Sequence, residues 1–551
     1  MAIASSSTGS FCSTSADLST RLPQLSTVAF IPSPPSPSLR PSLSLKLKPL
    51  SVSSRLNSSN PSENGDLRYD LNRGRGRGPG PKGTPVFVKL PLDAVGPTAA
   101  QVRRRKTMEQ SFRALVAAGV EGVVLEVWWG LVERDAPKVY IWQGYKELIA
   151  MAKHCGLKVR VILAFHQCGT GPGDPHWIPL PLWVLEEIYK NPDLAYSDRF
   201  GRKNIEYISL GCDTLPVLQG RSPIQAYADF MRAFRDAFWP LLGAVITGIQ
   251  VGMGPAGELR YPSCPSRKLT WPWRTRELGE FQCYDKYMLA SLNARAQDAG
   301  KPEWGNGGPI GASNLLQNPE DTDFFKTHGS WNTPYGKFFL EWYSGMLLLH
   351  GENICREAKA IFRGAEVNML AKVAGIHWHY GTQSHASELT AGYYNTDFRD
   401  GYLLIARMLA RYGFTLCCTG FDMQDAEEQE VNPFSRPEGF LRQLLLAARF
   451  YHIPMEGENF APTLDDGSFQ QVLKMAKFCS DGQDMPSFSF SFERMDKNMF
   501  DYQNWVRFTR FVRQLSGSGT NNFRAKLDFA GYEYQSPLPE STKVGMAFAH
   551  C

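Results

Sequence analysis

Eight polar side chains stand at or just past the ends of eight short apolar runs in this 551-residue sequence: Asp93, Glu126, His166, Glu258, His377, Thr419, Glu458 and Arg494. Carboxylates and imidazoles are the groups that pass protons to and from a reacting bond, and hydroxyls and guanidinium groups hold polar substrates in place. Any one of these residues could be a solvated rim residue. An ionisable or hydroxyl group after every run is not expected of a random alternation. His377 and His379 point the same way on an extended chain, which raises a metal pair, but no third ligand lies in register with them. The eleven cysteines show no CxxC pair and no Cys/His ligand spacing, so they read as reduced thiols and not as a disulfide framework or a zinc site.

The runs that must position these groups are 85–90, 122–127, 158–165, 244–252, 372–378, 413–418, 452–456 and 487–491. Between them lie helical patterns such as RRRKTMEQSFRALVAAG, SPIQAYADFMRAFRDAFWPLL and PEGFLRQLLLAARFY. Alternation of this kind predicts βαβ units and a parallel sheet. Eight units in one chain predict a closed (β/α)8 TIM barrel, whose chemistry sits in the loops after the strand carboxyl ends. Two of those loops, 168–222 and 255–335, are far longer than a barrel needs, as expected of a substrate pocket or lid. Their aromatic stretches HWIPLPLW, TWPWRT and GSWNTPYGKFFLEWYS suit pyranose faces and equally suit the packing of long loops.

Residues 1–60 are Ser-rich, acid-poor and broken by prolines, the style of a plastid transit peptide and a composition that cannot offset its own ordering entropy. They hold Arg21, Arg40, Lys46, Lys48 and Arg55 against Asp17, which accounts for four of the five net positive charges. The remainder is close to neutral and gives no electrostatic reason to bind nucleic acid. The Arg/Gly run Arg73–Gly83 lies in a stretch, 61–84, that reads as a flexible linker. Residues 85–515 are expected to form the barrel and 516–551 a tail. No apolar run reaches 18 residues, so no membrane span is expected.

The segment GMGPAGELRYPSCP (252–265) closely resembles the plant β-amylases, glycoside hydrolases that release maltose from the non-reducing ends of α-1,4-glucans. The likeness continues through 119–133, 164–169, 193–221, 279–289, 372–396 and GEN (457–459), and covers essentially all of 85–515. It implies Glu258 as general acid and Glu458 as general base, sugar contacts from Glu126, His166, Asp174, Lys372, His377, Thr419, Asn459, Phe460 and Arg494, and no cofactor. Glu388 reads as structural. Hydrolysis with inversion needs such a pair, one carboxylic acid to protonate the leaving oxygen and one carboxylate to activate water from the opposite face. The acid must keep its proton at working pH, through burial or a nearby negative charge.

The sequence departs from the family pattern where substrate would be handled. Glu126 replaces an aspartate, lengthening the arm by one methylene. The lid reads GTGPGD (169–174), where Pro172 fixes φ and removes an amide donor. The inner loop reads CTGFDMQD (418–425), in which Gly420 and Phe421 change freedom and bulk, and Phe460–Ala461 replaces a small-Leu pair. Two readings follow. One is an exo-acting α-1,4-glucan hydrolase of plastid starch breakdown; the other is a family member that binds glucan or a partner enzyme of starch metabolism and regulates that breakdown. A sugar-phosphate lyase would want a Gly-rich phosphate cradle after strands seven and eight, and none is present.

Overall fold

The computed structural model describes residues 83–517 except 170, 264–277, 313–316 and 481–486. The proposed transit peptide, nearly all of the linker, all but the first two residues of the tail, and the TWPWRT stretch lie outside the described residues. The described residues form ten strands: β1 Val86–Lys89, β2 Gly122–Trp128, β3 Lys158–Ala164, β4 Ala195–Ser197, β5 Lys203–Ile208, β6 Ile246–Val251, β7 Asn368–Val373, β8 Phe414–Thr419, β9 Met455–Glu458 and β10 Phe488–Phe492. Eight of them close into a barrel in the order β1-β10-β9-β8-β7-β6-β3-β2, every neighbouring pair parallel. The expected (β/α)8 barrel is the fold. β4 and β5 form a small antiparallel hairpin inside the long connection after β3.

The three helical patterns become Arg105–Ala118, Pro223–Phe238 and Pro437–Phe450. The second starts on a capping box, with the Ser222 hydroxyl accepting from Gln225 N–H and the Gln225 side chain accepting from Ser222 N–H. The 28-residue helix Pro334–Ile361 begins inside the stretch read as aromatic loop. Its Phe339, Trp342 and Tyr343 are buried, and Tyr343 stacks on Tyr261 with centroids 3.9 Å apart. These aromatics pack the connection down and do not line the cavity described below.

Strand five lies earlier in the chain than expected. The apolar run 372–378 begins where β7 is nearly over, and the strand is Asn368–Val373. Ala374, Ile376 and Trp378 are buried against the cavity wall outside the sheet, so their hydrophobicity came from tertiary packing. Strand seven runs later than expected, at 455–458, which puts Glu458 on the strand itself.

Inside the barrel, Phe87, Val124 and Ile162 make a small apolar floor. The Arg160 guanidinium lies 3.7 Å over the Phe87 ring and pairs with Glu456 across the barrel. Arg160 also donates to Ser489 Oγ at 3.0 Å, and Ser491 Oγ donates to Glu456 at 2.6 Å. Burial pulls the Arg160 guanidinium down to about 10. A pair this enclosed is expensive to break from one side. Arg160→Met is expected to cost about 3–5 kcal/mol of stability in equilibrium urea unfolding, with much of it recovered in Arg160→Met/Glu456→Met. A single-variant loss no larger than that of an exposed pair, about 1 kcal/mol, would contradict this.

Candidate active site

The strand ends surround a cavity of about 910 Å³. Glu258 reaches it from the turn after β6. That turn folds back so tightly that a Cβ on Gly254 would sit 2.4 Å from the Glu258 carbonyl oxygen, which restricts the position to glycine. The turn is held by Glu206, which accepts from Ala256 N–H at 3.0 Å. Burial pushes the Glu206 carboxyl up, against the pull of Arg260 and that hydrogen bond. The Glu258 carboxylate accepts from Arg260 Nε at 2.8 Å and lies 3.6 Å from Lys372 Nζ. Lys372, at the end of β7, is 2.8 Å from the Glu458 carboxylate, so one ammonium contacts both glutamates.

Glu458 is fully enclosed and is not itself part of the cavity wall; it lies behind Lys372 and Lys89, which are. Lys89 Nζ is 2.9 Å from Glu458 and 2.5 Å from Glu493. Burial works against the charge on Glu458, but Lys372 and Lys89 outweigh it and hold the carboxyl below its ordinary range. Glu493 pairs onward with Arg494 at 2.9 Å, and Arg494 grips both oxygens of Glu126 at 2.7 and 3.1 Å. From Glu258 to Glu126 the charges therefore alternate: Lys372, Glu458, Lys89, Glu493 and Arg494 in between. With Arg260 added, four carboxylates meet four cations.

His166 lines the same cavity. Burial, Arg260 and Lys372 hold its imidazole down at about 3, so it is neutral at any working pH. Its Nδ1 has no partner among the described residues, and neither has the indole N–H of Trp128, whose ring meets it edge-on at 5.1 Å. Both are poised for hydroxyl groups. The described aromatics of the cavity wall are Trp128, Trp378, Phe460 and Phe500.

The model of glycosyl hydrolase family 14 matches residues 87–521. The chain belongs to glycosyl hydrolase family 14. It is 53% identical over 449 residues to a protein named β-amylase 1, chloroplastic, from Arabidopsis thaliana, covering 81% of this chain and 77% of that relative. It is 51% identical over 441 residues to β-amylase 2, chloroplastic, from Oryza sativa subsp. japonica, covering 80% and 78%. Among solved structures, the catalytic domain of β-amylase from Paenibacillus polymyxa superposes with a TM-score of 0.64 at 24% identity, over 78% of this chain and 98% of that one, a likeness of fold.

Of the side chains expected from the sequence of this family 14 hydrolase, Glu126, His166, Asp174, Glu258, Lys372, Thr419, Asn459, Phe460 and Arg494 all line the one cavity. His377 does not. It sits behind the wall, buried, its Nδ1 bonded to Ser435 Oγ at 2.9 Å and its ring 6.3 Å from that of Phe460. His379 bonds Ser387 instead, so the two histidines serve different neighbours. Asn459 reaches the cavity, but its amide is engaged with backbone: Oδ1 accepts from Glu493 N–H at 2.7 Å and Nδ2 donates to Glu493 O at 2.8 Å. Glu388 is enclosed by Tyr402, Asn395 and His385. Burial works against charge on His385, but Glu388 and Asp397 raise it to about 9.

Lys89, Glu206, Arg260 and Glu493 belong to the site and were not expected from the sequence. For Lys89 a signal existed, a lysine inside the apolar run PVFVKL. Glu206 and Arg260 fall within segments of family likeness but carried no distinguishing pattern. Of the altered loops, Phe421 turns away from the cavity: its ring covers Gly457, where a Cβ would come within 2.9 Å, and stacks on Phe488 at 5.5 Å. Phe460 forms part of the wall and the cavity remains open. In the lid, Cys168 and Ile178 exchange backbone hydrogen bonds of 2.9 Å at its base, and Gly169 takes φ +75°. Among the described residues no group of three His, Cys, Asp or Glu could hold a metal ion.

Proposed function

We infer that this protein hydrolyses α-1,4-glucosidic linkages of starch-type glucans, releasing maltose from non-reducing ends with inversion. Glu258 gives a proton to the leaving glycosidic oxygen, and Glu458 takes one from the attacking water. The observation that carries this reading is the single ammonium of Lys372 touching both carboxyl groups beside one large cavity. The lysines keep Glu458 ionised, as a base must be. His166, Trp128, Thr419 and the Arg494–Glu126 pair supply polar contacts for sugar hydroxyls. The relatives named chloroplastic, together with the composition of residues 1–60, support action in the plastid on an α-1,4-glucan. The reading requires neither nucleic acid nor membrane, and no described helix is long and apolar enough to cross a membrane.

Chromatography of early products from soluble starch tests the reading: maltose alone is expected, and a ladder of longer oligosaccharides or no release would overturn it. The pH profile follows from Glu458. Its folded value is depressed, so the basic form is present above that value and activity is lost only as pH falls through it. The acid limb of kcat, which reports the glucan-bound enzyme, is therefore expected below the ordinary glutamate value of about 4.3. An acid limb above that value would mean that another group is the base.

A further inference from the structure

The segment after β9 gives the cavity Asn459, Phe460 and Pro462. On one side it is clipped to Glu493 through the Asn459 amide. On the other it is held by a residue outside the cavity wall. Asp422 is 7% exposed and accepts from two successive backbone amides, Phe460 N–H at 2.6 Å and Ala461 N–H at 3.3 Å. The loop carrying Asp422 is itself fixed to β9, with Phe421 N–H donating to Glu458 O at 3.1 Å and the Phe421 ring over Gly457. We propose that Asp422 is a positioning residue: its carboxylate sets where Phe460 stands in the cavity, and so how tightly glucan is held, without touching sugar. The proposal rests on the cavity being the glucan site.

The two amides use different oxygens of the carboxylate, Phe460 N–H on Oδ1 and Ala461 N–H on Oδ2. A protonated Asp422 keeps its carbonyl oxygen as a good acceptor, but the oxygen that takes the proton becomes a much poorer one, so one of the two amide bonds is weakened. Burial pushes this carboxyl up to about 6, against the pull of the Phe460 and Ala461 amides, and Asp465 adds to the rise. On the neighbouring elements, Glu438 pairs with Lys474 at 2.8 Å, Asp425 accepts from Glu438 N–H at 2.8 Å, and Glu458 is held ionised by its lysines. Because the folded value is raised, Asp422 takes its proton in the native state at a pH where the unfolded chain would not. The change therefore does not require acid unfolding. His166 and His377, at about 3, stay neutral across this window.

The test is calorimetric binding of maltose to the full chain at pH 7.5 and 5.0, beside a starch assay on the same preparation. Wild type is expected to bind about three- to tenfold more weakly at pH 5.0, the equivalent of one hydrogen bond. Asp422→Asn is expected to bind weakly at both values. Phe460→Ala, which leaves Asp422 intact, is expected to lose the pH response and decides the matter should Asp422→Asn not fold. Affinity in wild type that is flat with pH, or a response that persists in either variant, overturns the proposal. A wild type that shows the binding shift but hydrolyses nothing overturns the hydrolase reading and leaves Asp422 in its role. A wild type that binds no maltose overturns both.

Discussion

Replacing Glu258 or Glu458 by glutamine is expected to lower maltose release from soluble starch by about 10²- to 10⁴-fold, the range that a positioned acid or base contributes. Glutamine keeps the shape and the hydrogen-bonding oxygen but cannot exchange a proton. The two losses should differ in kind. Glu258→Gln removes the donor to the leaving oxygen, so a substrate with a better leaving group, such as an aryl maltoside, should be spared much of the loss. Glu458→Gln removes the base and should be hit equally on both substrates. It also leaves Lys89 and Lys372 facing a neutral amide inside the barrel, so its stability should be measured beside its rate. Equal sparing of both variants on the activated substrate would contradict the assignment of roles.

Lys372→Met has the next largest expected effect, because one substitution strips a counter-charge from both glutamates. Lys372 is buried at the end of β7, and its Glu458 partner is enclosed. Burial opposes its charge, but Glu458, Glu258 and Glu493 outweigh that and raise its ammonium well above the ordinary lysine range. Breaking such an arrangement from one side costs about 3–5 kcal/mol of stability. Activity at neutral pH is expected to fall about 10²-fold through loss of alignment between the carboxylates. The acid limb should also move up, since Glu458 then relies on Lys89 alone to hold its charge. An unchanged acid limb would show that Lys372 does not govern the ionisation of Glu458.

The barrel was legible in the sequence because each buried strand is one short apolar run and each helix one amphipathic pattern. Placement failed where hydrophobicity had another source. In 372–378 the apolar residues past Val373 serve the cavity wall, and only the register of β7 against β6 and β8 reveals where pairing stops. The long-loop aromatics were ambiguous for the same reason, since Tyr343 and Phe339 answer to packing partners far away in sequence.

Of the eight side chains read from the sequence, Asp93, Glu126, His166, Glu258, Thr419 and Arg494 reach the cavity, while His377 and Glu458 lie behind its wall; family likeness singled out Glu258 and Glu458. The charges that govern them were not legible. Arg160 finds Glu456 at a separation of 296 residues, and Arg494 finds Glu126 at 368. What a strand does show is its period of two: Phe87 and Lys89, Val124 and Glu126, and Glu456 and Glu458 share the inner face, so a charged residue on that face within a buried run marks the interior network. Asp422 had no such signal. Its partners are two backbone amides, which no side-chain pattern records.

The stereochemistry of the first product tests the central claim most directly. Proton NMR of maltose in the first minutes of starch digestion, before mutarotation, reports the anomer released. A single displacement by water activated at Glu458, with Glu258 protonating the leaving oxygen, predicts β-maltose. Release of α-maltose would mean that the configuration is retained and that these two glutamates do not act as an acid and a base across one bond.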